Sequence, residues 1–197
     1  MKKTPNKCLV FLDLETTGLN PETDQILEVG IVVTTPDLKW IDTPWVNVVF
    51  TPNASALIDS DFVRTMHASS GLLTATQTGG SLVEVETGAI RYLSSMNIAP
   101  GTATMAGFGP HFDRSFLRKH MPALEAYFDY RMVDVSTLRG IARRLVHEDI
   151  DARMRSLIGE PKHRAVADCV AAISELDFYY KFFLDPEGMR KTLQKDF

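Results

Sequence analysis

Leu9-Val10-Phe11-Leu12-Asp13-Leu14-Glu15-Thr16-Thr17-Gly18-Leu19 is the stretch around which the rest of the chain is arranged. Four apolar residues lead into two carboxylates and a Thr-Thr-Gly turn, the pattern of a buried β-strand that delivers acids at its end. In a strand, side chains at i and i+2 share a face. Asp13 and Glu15 therefore project together, while Leu12 and Leu14 turn the other way into apolar surroundings. Carboxylates held side by side raise one another's pKa. A divalent cation relieves that repulsion, and hard oxygen ligands suit Mg²⁺ or Mn²⁺. A strand whose acidic end merely reaches solvent carries the same letters, so the pair alone does not make a site.

The chain has 197 residues, enough for a single domain with a full core. Hydrophobic residues make up 45% of it, which marks a globular chain. A formal net charge of −4 argues against a broad basic groove for long nucleic acid. It leaves room for a short anionic substrate gripped by a metal and a few local cations. Cys8 and Cys169 lie in apolar stretches and read as buried thiols, not as a disulfide or zinc site. Residues 1–7 are short and polar, unlike a signal peptide, and no apolar run reaches membrane-spanning length. A soluble, cytoplasmic protein with no membrane contact is expected.

Working outward from the first strand, 18–21 is a turn, and 26–33 and 46–50 read as two further strands joined through 40–44. Three strands in succession predict an antiparallel meander. Helices are expected over 59–70, with Phe62, Met66 and Val63 on one face, and over 82–96; the segment 71–80 between them reads as a polar loop. A short strand over 103–108 precedes a helix opened by Asp113, a shorter helix over 121–128 and a strand over 132–135. Ser136 is then expected to cap a helix. The charged run 147–162 lacks clean periodicity and reads as a partly mobile connection to a last helix over 164–183. The whole is expected to be one α/β domain over 1–184, followed by a polar tail over 185–197. Its five-stranded mixed sheet, first three strands antiparallel and later ones parallel to the first, would be flanked by helices.

Two further places supply what the opening pair lacks. Gly107-Phe108-Gly109-Pro110-His111-Phe112-Asp113 ends a strand and starts a helix with an acid. Acids are common in a first helical turn, so this signal is weak by itself. His163 and Asp168 straddle another helix start and can face one cleft, although such residues are more often simply solvated. Together, D-x-E on a strand, a helix-start Asp and H-x4-D in this order resemble the DEDD exonucleases of the histidine subtype. That family has a ribonuclease H-like fold and degrades nucleic acid from the 3′ end.

The resemblance narrows to the oligoribonuclease family. Asp13 to Leu19 is similar to that family's D-L-E-M-T-G-L, with Thr16 in place of Met. Val63-Arg64-Thr65-Met66-His67-Ala68-Ser69-Ser70-Gly71-Leu72 looks like its V-R-T-H-T-A-S-G-L, and Tyr130-Arg131-Met132-Val133-Asp134-Val135-Ser136-Thr137-Leu138 matches its Y-R-x-x-D-V-S-T-L. The likeness spans roughly residues 9–183. It implies that Asp13, Glu15, Asp113 and Asp168 hold two divalent ions, Mg²⁺ or Mn²⁺, about 3.5–4 Å apart. His163 would take the proton from the attacking water; an imidazole's ordinary pKa of about 6.5 suits that work. The resemblance makes Leu19 a wedge between two bases and His67 a base-stacking ring, with a turn residue and an exposed helix residue as the bland alternatives. Tyr130, Arg131, Ser136 and Thr137 would match a phosphate cap, partly supplied by the second subunit of a homodimer. The family usually has G-N-S-I-G-Q-D before its third acid, and the serine belongs to the cap. Gly109 stands there in this chain, losing a hydroxyl while leaving a backbone N–H that would approach a phosphate closely.

The implied activity is 3′→5′ hydrolysis of short single-stranded RNA, dinucleotides and slightly longer, to 5′-mononucleotides. One alternative is a DEDD exonuclease of longer RNA or single-stranded DNA, disfavoured by residues 130–138 and the acidic charge and favoured weakly by Gly109. The other is a binding module that kept the fold and lost catalysis, against which all five site residues are retained.

Overall fold

The computed structural model describes residues 8–146, 149–159 and 162–182; the tail expected over 185–197 lies outside them. Among these residues five strands form one sheet in the order β3-β2-β1-β4-β5. These are β1 (Leu9–Thr16), β2 (Ile26–Thr34), β3 (Trp45–Val48), β4 (Ala103–Gly107) and β5 (Phe128–Asp134). β1 pairs antiparallel with β2, and β2 with β3. β4 runs parallel to β1, and β5 parallel to β4. This is the mixed sheet the sequence predicts, with β1 at its centre.

Both faces of β1 are covered, which explains its unbroken apolar run. Val10, Leu12 and Leu14 pack against Val85, Ala89 and Leu93 of α3 (Leu82–Ser95) and Phe116 and Leu117 of α4 (Pro110–His120). Leu9 and Phe11 pack on the opposite face with Cys169, Ala172, Ile173 and Leu176 of α8 (Ala165–Phe182). By strand alternation Asp13 and Glu15 share the α8 side.

Gly30 brings α8 to the acids. It is the register partner of Asp13 on β2. A Cβ there would sit 2.6 Å from the Ala165 carbonyl carbon and the Val166 nitrogen. Only a bare Cα lets the first turn of α8 lie directly on the sheet. Gly30→Ala should therefore destabilise the fold by about 1–3 kcal/mol, as overpacking does. Urea unfolding measures this, and an unchanged midpoint would contradict so close an approach.

Several expectations need correction. β3 ends at Val48 and β5 begins at Phe128, both earlier than the apolar runs suggest. α1 (Asp61–Ser69) buries His67 rather than Phe62, which is 74% exposed. The loop over 71–80 contains a short helix, α2 (Leu72–Ala75), that buries Leu72. α4 starts at Pro110, before Asp113, because Gly109 takes a left-handed φ of 59° and Pro110 fixes the first helical φ. The short helix after it, α5, spans only Pro122–Glu125. α6 (Val135–Leu145) is capped by Asp134, whose side chain accepts the Ser136 N–H; Ser136 is the recipient and not the cap. The described part of 147–162 holds a regular helix, α7 (Ile150–Ile158), capped by Asp149. Ile150 and Met154 are its buried face, an i, i+4 pair masked in the sequence by four surrounding charges.

Candidate active site

The end of β1 and the first turn of α8 bring Asp13, Glu15 and Asp168 together. One carboxylate oxygen from each lies within 4.8 Å of the others. Asp113 stands beside this trio from α4, buried, its Oδ1 accepting the Leu14 N–H at 2.9 Å. β1 pairs with β4 only as far as Phe11, so the Leu14 N–H is not taken up by that parallel ladder. The bond fixes α4 to the strand that carries the other acids.

Burial and mutual repulsion govern the charge of the cluster. Burial first, then the Asp113, Glu15 and Asp168 carboxylates, push Asp13 well above the usual carboxylate range. Burial, with Asp168 next, raises Glu15 to about 8. Burial likewise raises Asp113 to about 8 against the Leu14 hydrogen bond, and it raises Asp168 too. Among the described residues no lysine or arginine forms an ion pair with Asp13, Asp113 or Asp168. Converging hard oxygens with no lysine or arginine paired to them are the donor set that fits divalent ions.

These shifts fix a pH dependence. Acids raised in the fold bind more protons there than in the unfolded chain, so metal-free stability falls as pH rises toward about 8. Melting in EDTA should show Tm decreasing from about pH 5.5 to 8.5, with Mn²⁺ removing most of the decrease as it displaces protons. A Tm in EDTA that stays level or rises over that range would contradict the charge balance.

His67 is only 1% exposed. Its Nε2 contacts the Thr16 carbonyl at 2.9 Å, and among the described residues Nδ1 has no hydrogen-bond partner. Nδ1 lies 3.8 Å from Glu15 Oε2. Burial lowers the pKa of His67 while Glu15 is raised, so the contact is not an ion pair. The buried ring lies between the Thr16 carbonyl and the Glu15 carboxylate. His163 sits just before α8 with φ 50°. It lines a cavity of about 360 Å³ with Phe62, Thr65, Met66 and Ser69 of α1. It lies within electrostatic reach of Asp168 and His67, and among the described residues no hydrogen bond joins it to an acid.

Leu19 is 81% exposed at the tip of a braced turn. Asp24 accepts hydrogen bonds from the Thr17 hydroxyl and the Asn20 N–H. From α4, Lys119 pairs with Glu22 at 2.5 Å and His120 Nε2 meets the Pro21 carbonyl at 2.8 Å. An apolar side chain is thus held out in water.

Gly109, Ser136 and Thr137 converge on one carboxylate. Asp134 Oδ1 accepts the Gly109 N–H at 3.0 Å and the Ser136 N–H at 2.9 Å, and its Oδ2 accepts the Thr137 hydroxyl at 2.9 Å. The Gly109 N–H expected to face a phosphate is already engaged. Asp134 is the organising residue that sequence reading missed, and its signal is an N-cap acid two positions before Ser136-Thr137. Tyr130 and Arg131 lie apart on β5, the outer strand, with the Arg131 guanidinium 4.3 Å over the Tyr130 ring.

Residues 10–176 match the exonuclease family profile. The chain is 39% identical over 183 residues to the oligoribonuclease of Leifsonia xyli subsp. xyli, covering 90% of this chain and 84% of that one. It is 38% identical to the oligoribonuclease of Thiobacillus denitrificans, over 91% of this chain and 96% of the other. The chain belongs to the oligoribonuclease family. As a member it is a nuclease, a 3′→5′ exoribonuclease.

In fold, this oligoribonuclease-family chain is similar to E. coli exonuclease I in complex with an oligonucleotide, with a TM-score of 0.68 and 16% identity. The match covers 95% of this chain and 43% of that one. Exonuclease I from Methylocaldum szegediense gives a TM-score of 0.67 at 16% identity, over 91% of this chain and 41% of the other. The chain spans less than half of these enzymes, and the likeness is one of fold. Among the described residues no helix is long and apolar enough to cross a membrane.

Proposed function

We propose that the protein hydrolyses short single-stranded RNA, dinucleotides and slightly longer, to 5′-mononucleotides at the Asp13 cluster. The observation that carries this reading is the convergence of Asp13, Glu15 and Asp168 oxygens within 4.8 Å, with Asp113 tied alongside. Asp13, Glu15, Asp113 and Asp168 would hold two Mg²⁺ or Mn²⁺ ions, which supply charge stabilisation for the attacking and leaving oxygens. His163 accepts the proton of the attacking water; its place in the lining of the α1 cavity, within electrostatic reach of Asp168, supports that role. Leu19 inserts between the two bases of a dinucleotide, already ordered before substrate arrives. Leu19→Ala should raise KM roughly tenfold, given about 1–3 kcal/mol per stacking contact, and change kcat little. An unchanged KM would remove the wedge.

Tyr130 and Arg131 face solvent on β5 and do not line the cleft beside the acids, which supports their acting in the partner subunit of a homodimer. Ser136 and Thr137 would line the 5′ side beside the Gly109 turn, with Asp134, which takes the Gly109 N–H, setting their geometry. The cytoplasm is the proposed compartment.

A second reading, attack on longer strands, is favoured by one feature. A cleft of about 590 Å³ continues from Asp13 and Asp168 past Phe108, Ser136, Arg139 and Lys162. Arg139 lies 5.0 Å over the Phe108 ring there. A length series separates the two readings: 5′-labelled RNA of about two, three, seven and twenty nucleotides, around the span of ordinary single-strand sites, with Mn²⁺ or EDTA. Cleavage that is fastest on the dinucleotide and falls with length supports the short-substrate reading. Equal or faster attack on the longest RNA favours the second, and no metal-dependent product overturns both.

A further inference from the structure

Glu28 is fully buried on β2, opposite Glu15 in the antiparallel register. A lone carboxylate there would join the acid cluster, and an unpaired buried charge is strongly destabilising. Both of its oxygens are instead engaged from one short segment. Arg164 Nε lies 3.0 Å from Oε1 and 3.1 Å from Oε2, and Arg164 Nη2 lies 2.5 Å from Oε1. Oε2 also accepts the Ala165 N–H at 2.8 Å, the first residue of α8. The remaining nitrogen, Nη1, donates to the Ser70 carbonyl at the end of α1 at 3.3 Å.

This ion pair ties together β2, α1 and the start of α8. On one side of Arg164 stands His163, a non-glycine residue held at φ 50°, a backbone region that costs an L-residue about 1–2 kcal/mol. On the other side, one turn into the helix, stands Asp168. The Gly30 contact presses the same turn onto the sheet from below. The segment bearing two of the five site residues is thus fixed by groups that are not themselves in the trio of converging acids.

We infer that Glu28 and Arg164 are positioning residues: their bidentate pair sets the place of His163 and Asp168 and keeps a fifth carboxylate from competing for the metal. Arginine is needed because its planar fork meets both oxygens and the Ser70 carbonyl at once, which lysine cannot do. The inference rests on the catalytic reading above and concerns only how that site is held.

The test uses Arg164→Lys, Arg164→Met and the uncharged pair Glu28→Gln/Arg164→Met, each studied well below its own Tm. Misplaced groups and loosened ligand support each cost roughly 10- to 100-fold. The expected result for Arg164→Met and the double variant is a kcat lower by about that factor per folded molecule, with KM within about threefold and Arg164→Lys intermediate. Mn²⁺ binding without substrate, followed by electron spin resonance, should weaken in step. The double variant removes the stranded charge, so it should melt above Arg164→Met and yet stay slow. A double variant with wild-type kcat and Mn²⁺ affinity would overturn the inference and leave the nuclease reading intact. An inactive wild-type protein would instead remove the catalytic reading, and the Mn²⁺ measurement would still decide whether the pair supports the metal site.

Discussion

Asp13→Asn should lower metal-dependent turnover by roughly three orders of magnitude or more, the scale of losing a central charge-stabilising group in a closed site. Asp13 lies at the centre of the arrangement. It lies on the middle strand, has an oxygen within 4.8 Å of one on Asp168 and one on Glu15, and feels the Asp113, Glu15 and Asp168 carboxylates together. An amide keeps the shape and removes the charge. The metal-free variant should therefore fold as the wild type does and melt at the same temperature or higher above about pH 7, because a repelling buried carboxylate is gone. A site acid is destabilising in the metal-free protein and indispensable with metal, whereas a structural acid behaves the opposite way. Steady-state turnover of a dinucleotide and melting in EDTA measure the two together. Near-normal turnover, or a large fall in metal-free Tm, would show that Asp13 is not the metal-centred group.

His163→Ala should reduce kcat by roughly 10²- to 10⁴-fold, the range for a positioned general base. Mn²⁺ binding should persist, because His163 is not among the converging carboxylates. KM should move little, since the proposed substrate-binding residues, Leu19 among them, are untouched. Added imidazole should restore part of the rate through the α1 cavity that His163 lines, about 360 Å³ in volume. Alanine carries the same Cβ as histidine at this left-handed φ, so the substitution adds no backbone strain. Loss of Mn²⁺ binding in step with rate would instead make His163 a support of the metal site.

The sheet and its acids were legible in the sequence because they follow from period and adjacency. An apolar run carrying D-x-E places two acids on one face whatever surrounds it, and H-x4-D across a helix start places a His just before the helix and an Asp about one turn inside it. Asp113 was legible only in company with these, since first-turn acids are common. What stayed hidden depends on contacts across long sequence separations. Glu28 looks like a polar lapse in a β-strand until Arg164 is brought to it, 136 positions away. His67 looks like a surface helix residue until the Thr16 carbonyl closes on it. α7 was masked because Arg153, Arg155 and Asp151 outnumber its apolar pair in so short a run. The cap falls on Asp134 and not on Ser136 because a serine and an aspartate two positions apart are both good caps, and local sequence does not choose between them.

The most direct test of a two-ion site is a crystal of the protein soaked with Mn²⁺ and a non-hydrolysable dinucleotide, with anomalous scattering collected near the manganese edge. Two anomalous peaks are expected, both within ligand distance of Asp13, with Glu15, Asp113 and Asp168 completing their shells and Leu19 between the bases. A single peak, or peaks that leave Asp13 without a metal contact, would contradict the account.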